Sequence, residues 1–213
     1  MAEVRDRLSI KQKLLAQIER LRKEKPNLVD TPITDLDLSP QSVSTIAAIT
    51  EELEALNPFP QPLLSAKNLL NGAWLLQYST AREIRSLKRL PFGFQVGNIY
   101  QTIDVNNASF ENRAWVQHRW GGLSGYVRVT ATFEPAKEAE EQLSDQRINV
   151  NFQQRFLGIQ QILGIKTPWL DPMRVVEAKN PVGRIPSLKI TYIDETMRIG
   201  RGGDESLFIL TRE

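Results

Sequence analysis

The sequence predicts a mainly β protein, an antiparallel barrel of about eight strands preceded by two helices. Three observations predict it. Apolar residues recur at helical spacing over the first quarter of the chain. From residue 72 the period drops to two. The β-rich segments that follow are short and mostly joined by brief turns, which suits an up-and-down barrel. An eight-stranded barrel is just wide enough to hold one small ligand. The expected organisation is a helical segment, 1–62, packed on a barrel, 63–213.

In the first helix Val4, Leu8, Leu15 and Ile18 form the apolar stripe, flanked by Ile10, Leu14 and Leu21. Arg5, Lys13, Arg20 and Lys23 occupy the opposite face, and Pro26-Asn27 ends the helix. Ser39-Pro40 opens the second helix as an N-cap followed by proline at the first helical position. Val43, Ile46, Ala47, Leu53 and Leu56 are its expected buried face, and the proline-rich run from Asn57 to Pro62 stops it. Residues 1–25 carry eight Lys/Arg against four Asp/Glu, whereas 26–66 carry no Lys or Arg. Two helices packed with complementary charge account for this. So does a basic first helix lying on an anionic lipid surface or a partner protein.

The expected strands are 73–79, 97–105, 108–119, 123–134, 146–155, 187–193, 196–200 and 206–211. Turns fall at Asn106-Asn107, Gly121-Gly122 and Gly202-Gly203-Asp204. Two connections are long. Residues 80–96 read as a short helix capped by Thr80, then a loop through Pro91 and Gly93. Residues 156–186 hold FLGIQQILGIK and a loop with Pro168, Pro172, Pro181 and Pro186. Their apolar Ile159, Ile162, Leu163 and Trp169 are placed either to cover a barrel mouth or to plug its end.

Composition limits the chemistry. With 41% hydrophobic and 24% charged residues the chain has the balance of a globular protein. A net charge of +2 does not suggest nucleic acid as a partner. No cysteine is present, and a single histidine, His118, cannot build a multi-histidine metal site. No phosphate-binding glycine loop, dinucleotide fingerprint, HExxH or GxSxG motif occurs, and no carboxylate pair is placed for acid–base work. Ser124 sits in a glycine-rich turn without the spacing of a nucleophile, and His118 lies on a strand beside tryptophan, a structural setting. The expectation is a non-enzymatic protein without a cofactor or metal.

What remains is a set of strand aromatics and arginines. Trp74, Tyr78, Tyr100, Trp115, Trp120, Tyr126, Phe133, Phe152, Tyr192 and Phe208 are the aromatics, and alternation alone does not say which face inward. Arg113, Arg119, Arg128, Arg155, Arg198 and Arg201 lie on or beside strands, and any that points inward must be paired. Asp194 is the evident partner for Arg198 and Arg201 on the next strand. Either it is a turn residue beside exposed arginines, or it forms a buried pair at the barrel mouth that also meets a polar head group.

Two blocks carry a resemblance. The first is Leu70-Asn-Gly-Ala-Trp-Leu-Leu-Gln-Tyr-Ser-Thr80, followed by Gly97-Asn-Ile-Tyr-Gln-Thr-Ile-Asp104. The second runs from Leu188 to Leu210 and contains Tyr192, Asp194, Arg198, Ile199, Arg201, Gly202, Leu207 and Phe208 at the spacing Tyr-x-Asp, three residues, Arg-Ile-x-Arg-Gly, a short turn and an apolar strand. Both resemble the plastid lipid-associated protein, or fibrillin, family, over roughly residues 5–212. The tip Gly202-Gly203-Asp204-Glu205-Ser206 departs from the Gly-Asp-x-Gly of many plant members.

The resemblance implies a lipocalin-like barrel that binds prenylquinones, carotenoids or other apolar lipids at thylakoid or lipid-globule surfaces. The expected ligand-binding residues are Trp74, Tyr78, Tyr100, Trp115, Tyr126, Arg128, Phe152, Tyr192, Asp194, Arg198 and Arg201. The N-terminus lacks an uninterrupted apolar core, carries Glu3, Asp6 and Glu19, and so reads as neither a secretory signal nor a plastid transit peptide. A cytoplasmic, peripherally membrane-associated protein of cyanobacterial type is the expectation. Two other readings stand beside it: a bilin lyase-like enzyme on the same barrel, and a scaffold whose helices dock a prenylquinone-synthesis enzyme.

Overall fold

The computed structural model describes residues 2–25, 31–137, 142–178, 180, 183 and 185–212; Pro26, Asn27 and Pro181 lie outside them. Helix α1 spans Ala2–Lys23 and buries Leu14, Ile18 and Leu21, a stripe at i, i+4 and i+7. The stripe sits further along than the sequence suggests. Val4 and Leu8 are 46% and 49% exposed, because contact with the rest of the molecule begins only at Ile10 and Lys11. Helix α2, Pro40–Glu54, starts as expected, with the Ser39 hydroxyl accepting from the Ser42 N–H at 3.2 Å. Its buried face is Ile46, Ile49, Thr50 and Leu53, while Val43, Ala47 and Leu56 are half-buried. Two single-turn helices, α3 (Pro62–Ser65) and α4 (Lys67–Leu70), lead into the sheet.

Eight strands form the barrel: β1 Gly72–Ser79, β2 Phe94–Asp104, β3 Ser109–His118, β4 Leu123–Lys137, β5 Leu143–Ile162, β6 Ser187–Ile193, β7 Met197–Gly202 and β8 Leu207–Arg212. Each pairs antiparallel with the next, and β1 pairs with both β2 and β8, so the sheet closes on itself. Closure removes the exposed edges of an open sheet. A two-residue strand, Ile33–Thr34, adds parallel to the end of β1.

β5 is longer than its alternation suggests. The run 156–162, expected to begin a long connection, continues the ladder, with Tyr126 opposite Gly158 and Leu123 opposite Ile162. Two glycines permit it: a Cβ on Gly125 would lie 2.0 Å from the Gly158 carbonyl oxygen, and one on Gly158 would lie 2.5 Å from the Tyr126 ring. The chain then returns along β5 as Arg174–Glu177, so part of the expected loop is itself strand. In the other long connection a helix does form, α5 at Arg82–Leu87. Thr80 does not cap it; its hydroxyl accepts from the Leu207 N–H at 2.8 Å instead.

Two β-bulges decide which residues face inward. Between β1 and β8 the pairing passes from Leu76–Leu210 to Tyr78–Ile209, leaving Gln77 extra. Between β6 and β7 it passes from Ile190–Gly200 to Tyr192–Ile199, leaving Thr191 extra. An extra residue reverses the facing of everything beyond it. Trp74, Leu76 and Ile190 therefore point into the barrel, whereas Tyr78 and Tyr192 point out beneath the helices. The Asn57 side chain repairs the second bulge, donating to the Thr191 carbonyl at 2.9 Å and accepting from the Ile193 N–H at 3.3 Å.

Two cores result. The outer core joins Leu14, Ile18, Leu21, Ile46, Ile49 and Leu53 of the helices to Tyr78, Tyr192, Met197, Ile199, Leu207 and Ile209 of the barrel wall. The inner core fills the barrel from the floor, where α3 and α4 close one end, up to Val96, and Ile84, Leu87 and Leu90 pack against the same cluster. There Trp74 donates from Nε1 to the Leu70 carbonyl at 2.9 Å, and the Asn71 side chain accepts from the Val105 N–H at 3.1 Å.

Candidate functional site

The floor of the barrel holds an arginine without a counter-charge. Arg198 follows the β6–β7 turn and points inward with Ile190 and Gly200. It is 3% exposed. Its guanidinium donates from Nη2 to Oε1 of Gln101, whose Nε2 donates to Oδ1 of Asn112 at 2.8 Å. The Trp74 ring lies between two guanidiniums, with Arg198 at 5.3 Å and Arg212 at 4.4 Å from its centre. Arg212 is held by the backbone carbonyls of Leu69, Asn71 and Glu195. Neither arginine has a carboxylate partner among the described residues. Burial and then the Arg212 charge push the Arg198 guanidinium down to about 9.

Beside Arg198 lies a cavity of about 30 Å3, lined by Leu63, Leu70, Gln101, Ile103, Phe110, Phe133, Ile148, Val150, Leu188 and Ile190. That is about a tenth of the smallest ordinary small-molecule pocket. Towards the opposite end, Val116, Val127, Val129 and Leu157 share the inward face with Ala114 and Asn112 but are only half-buried. The floor is packed; in the outer half these four are half-buried, while Val96, opposite Val116, is 6% exposed and belongs to the inner core with Ile84, Leu87 and Leu90 packed against it.

The expected pairing of Asp194 with the arginines of the next strand is not formed, and the three charges go to three places. Asp194 points out to α1, where Lys11 Nζ meets it at 2.6 Å and the Tyr192 hydroxyl donates to it at 2.6 Å. Burial raises its carboxyl, but donation from Lys11 and Tyr192 outweighs this and holds it below its ordinary value. Burial, and then the same carboxylate, drive the Tyr192 phenol strongly upward. Arg201 points out to α2 and takes Glu54 in a two-point bridge at 2.9 and 2.8 Å. Tyr78, buried in the outer core, is pushed up to about 12 by desolvation and then by Asp35.

The remaining candidates divide between inside and outside. Trp74 and Phe152 line the interior with Arg198. Tyr100, Trp115, Tyr126 and Arg128 share the outer face of β2, β3 and β4. There Trp115 and Tyr126 meet edge-on at 6.1 Å, and Arg128 stacks on Phe156 at 3.9 Å. Glu111 bridges Arg113 at 3.0 Å and Arg128 at 3.3 Å, and Tyr126 donates to Asp171. This outer patch is charge-balanced, two arginines against two carboxylates. His118 Nε2 donates to the Phe92 carbonyl at 2.6 Å, and the ring meets Phe94 and Trp120 edge-on.

The barrel end opposite α3 and α4 carries exposed apolar side chains. Phe92 is 87% exposed, Trp120 64%, Leu163 71%, Ile165 66% and Trp169 72%. Hydrogen bonds hold their loops together: Arg119 N–H to the Gly93 carbonyl at 3.0 Å, and Leu163 N–H to the Gly122 carbonyl at 2.6 Å. Leu163 and Trp169, expected to cover or plug the mouth, do neither and point into solvent at its rim. Gln101, Asn112, Arg212 and Phe92 were not among the sequence candidates. Gln101 and Asn112 had a signal, since each is a polar residue at an inward position between apolar ones, Ile99 and Ile103 in one strand, Phe110 and Ala114 in the other.

These features define a class: a lipocalin-like, closed, up-and-down antiparallel barrel with one end stopped by helices and the other rimmed by apolar side chains. The chain belongs to the PAP_fibrillin family, whose model matches residues 22–211. It is 29% identical to plastoglobulin-1, chloroplastic, of Pisum sativum over 92% of this chain and 62% of that protein. It is 29% identical to the chromoplast-specific carotenoid-associated protein of Cucumis sativus, covering 84% of this chain and 63% of that one. It is 28% identical to the probable plastid-lipid-associated protein 2 of Arabidopsis thaliana, over 99% of this chain and 77% of that one. The chain thus spans somewhat over three-fifths of the length of the first two relatives. Two of these names state an association, one with carotenoid and one with plastid lipid.

Proposed function

We propose that the protein seats its open barrel end on a lipid surface, of a lipid globule or thylakoid membrane, and holds there an apolar lipid such as a prenylquinone or carotenoid. The observation that carries this reading is the rim of Phe92, Trp120, Leu163, Ile165 and Trp169 at the barrel end opposite α3 and α4. An exposed apolar patch of that size marks a contact surface in a soluble chain. The basic side chains of Arg119 and Lys166, exposed on the same loops, suit an anionic interface. An isoprenoid tail does not fit the 30 Å3 floor cavity, so it would lie in the outer half, against Val116, Val127, Val129 and Leu157. Removing such a tail from water yields about 25 cal/mol per Å2. The names of the plastoglobulin and the carotenoid-associated relative support the same reading. The polar groups of the floor, Arg198, Arg212, Gln101 and Asn112, suit orienting a head group.

The test is co-flotation with triolein droplets coated in phosphatidylcholine, comparing wild type with Trp120→Ser/Leu163→Ser/Trp169→Ser. All three side chains are exposed, so the variant folds with unchanged melting temperature and stays in the aqueous layer. Equal flotation of the two proteins would overturn the proposal.

A further inference from the structure

On the floor of the barrel lie two positive charges and, among the described residues, no negative one; a third arginine, Arg155, lies opposite inward-facing Val129 in the outer half and is exposed. Arg212 is satisfied by three backbone carbonyls. Arg198 has no counter-charge among the described residues: the hydrogen bond it makes there goes to a neutral amide oxygen. A buried, unpaired charge costs several kcal/mol, and arginine does not escape the cost by giving up its proton. The outer patch shows the contrast, since there each arginine meets Glu111. The guanidinium forms part of the wall of the 30 Å3 cavity, which is otherwise apolar apart from Gln101. A cavity needs about 10–15 Å3 on this measure to hold one water, so this one has room for two oxygen atoms side by side.

We propose that the floor cavity is a carboxylate site, with Arg198 as the counter-charge and Gln101 and Asn112 as the groups that aim it. A planar guanidinium matches a carboxylate in size and geometry. This rests on the reading that the barrel holds a lipid and narrows it: the head placed at the closed end is a carboxylate, in place of the neutral ring of a prenylquinone or carotenoid. A second source has the same chemistry, a small free carboxylate such as acetate. A neutral head group, the hydroxyl of an alcohol, leaves the charge uncompensated and is disfavoured.

The test is isothermal titration of the delipidated full chain with decanoate, decanol and acetate at pH 7.5. Decanoate binds at least about tenfold more tightly than decanol, the factor one charge-assisted contact supplies. Weak or no binding of acetate assigns the site to a fatty-acyl lipid; acetate as tight as decanoate assigns it to a small anion. Arg198→Gln binds decanoate and decanol alike, Arg198→Lys keeps part of the preference, and neither variant melts below the ligand-free wild type. Equal binding of decanoate and decanol to wild type overturns the Arg198 assignment and leaves the lipid reading standing. Binding of none of the three overturns the site itself, and the droplet experiment then judges the lipid reading on its own.

Discussion

Replacing Asp194 by alanine removes the acceptor of five donors: Lys11 Nζ at 2.6 Å, the Tyr192 hydroxyl at 2.6 Å, the N–H groups of Thr196 and Met197 at 2.9 and 2.8 Å, and the Thr196 hydroxyl at 3.5 Å. Tyr192 is fully buried, so its hydroxyl finds no water in exchange. Lys11 and Asp194 are 12% and 16% exposed, so their pairing is worth more than a surface bridge and less than a buried one. Bonds to a charged group contribute about 1.5–3 kcal/mol each before that screening. The sum is about 3–4 kcal/mol, and at roughly 2–4 °C per kcal/mol for a chain of this size the melting temperature falls by roughly 10 °C. Asp194→Asn keeps an acceptor for the two turn amides and loses about half as much. Urea unfolding followed by tryptophan fluorescence measures both variants, and the cycle with Lys11→Met gives a coupling of about 1–2 kcal/mol. The folded carboxyl is depressed, so its contribution is complete above the unfolded carboxylate range and disappears as pH falls through the lower folded value. The gap between wild type and Asp194→Ala therefore closes on acidification. A variant within about 0.5 kcal/mol of wild type at pH 7, or a gap that does not change down to pH 3, would refute the reasoning.

Gly158→Ala places a Cβ 2.5 Å from the Tyr126 ring and costs about 1–3 kcal/mol, read by the same denaturation; a neutral result means the β4–β5 crossing is looser than described. Arg201→Met breaks the two-point bridge to Glu54 and leaves that carboxylate, 14% exposed, unpaired, which loosens α2: amide exchange over 40–54 rises while exchange in the floor strands stays as it was. Truncation of residues 1–30 uncovers Tyr192, Met197 and Ile199, and with Leu14, Ile18 and Leu21 gone at about 1.5–3 kcal/mol each the barrel is expressed aggregated. Soluble, monomeric truncated protein would contradict the outer core's role.

The switch in period at residue 72 made the helices and the barrel legible, and the strand count follows from the turns. Facing was not legible where the ladder slips. Alternation from Trp74 and Leu76 places Tyr78 inside, yet the bulge at Gln77 turns it out beneath α1 and α2, and Thr191 does the same to Tyr192. A bulge has no composition of its own at these positions, so strand patterns do not reveal it. Asp194, Arg198 and Arg201 read in sequence as one charged group, and in the structure they part. Their separation depends on Lys11 and Glu54, which lie 183 and 147 residues away in sequence. The extension of β5 to Ile162 was masked because its apolar residues resemble a plug, and only Gly125 and Gly158, together, hint that two strands cross there.

Orientation on a lipid surface is the most direct measure of the functional account. The chain has no cysteine, so single replacements Leu163→Cys at the rim and Asn107→Cys in the turn at the closed end each take one environment-sensitive NBD label. On phosphatidylcholine-coated triolein droplets the rim label shifts to the blue and brightens, while the label at residue 107 keeps its aqueous spectrum. Equal shifts, or a shift at 107 alone, would contradict attachment through the open end.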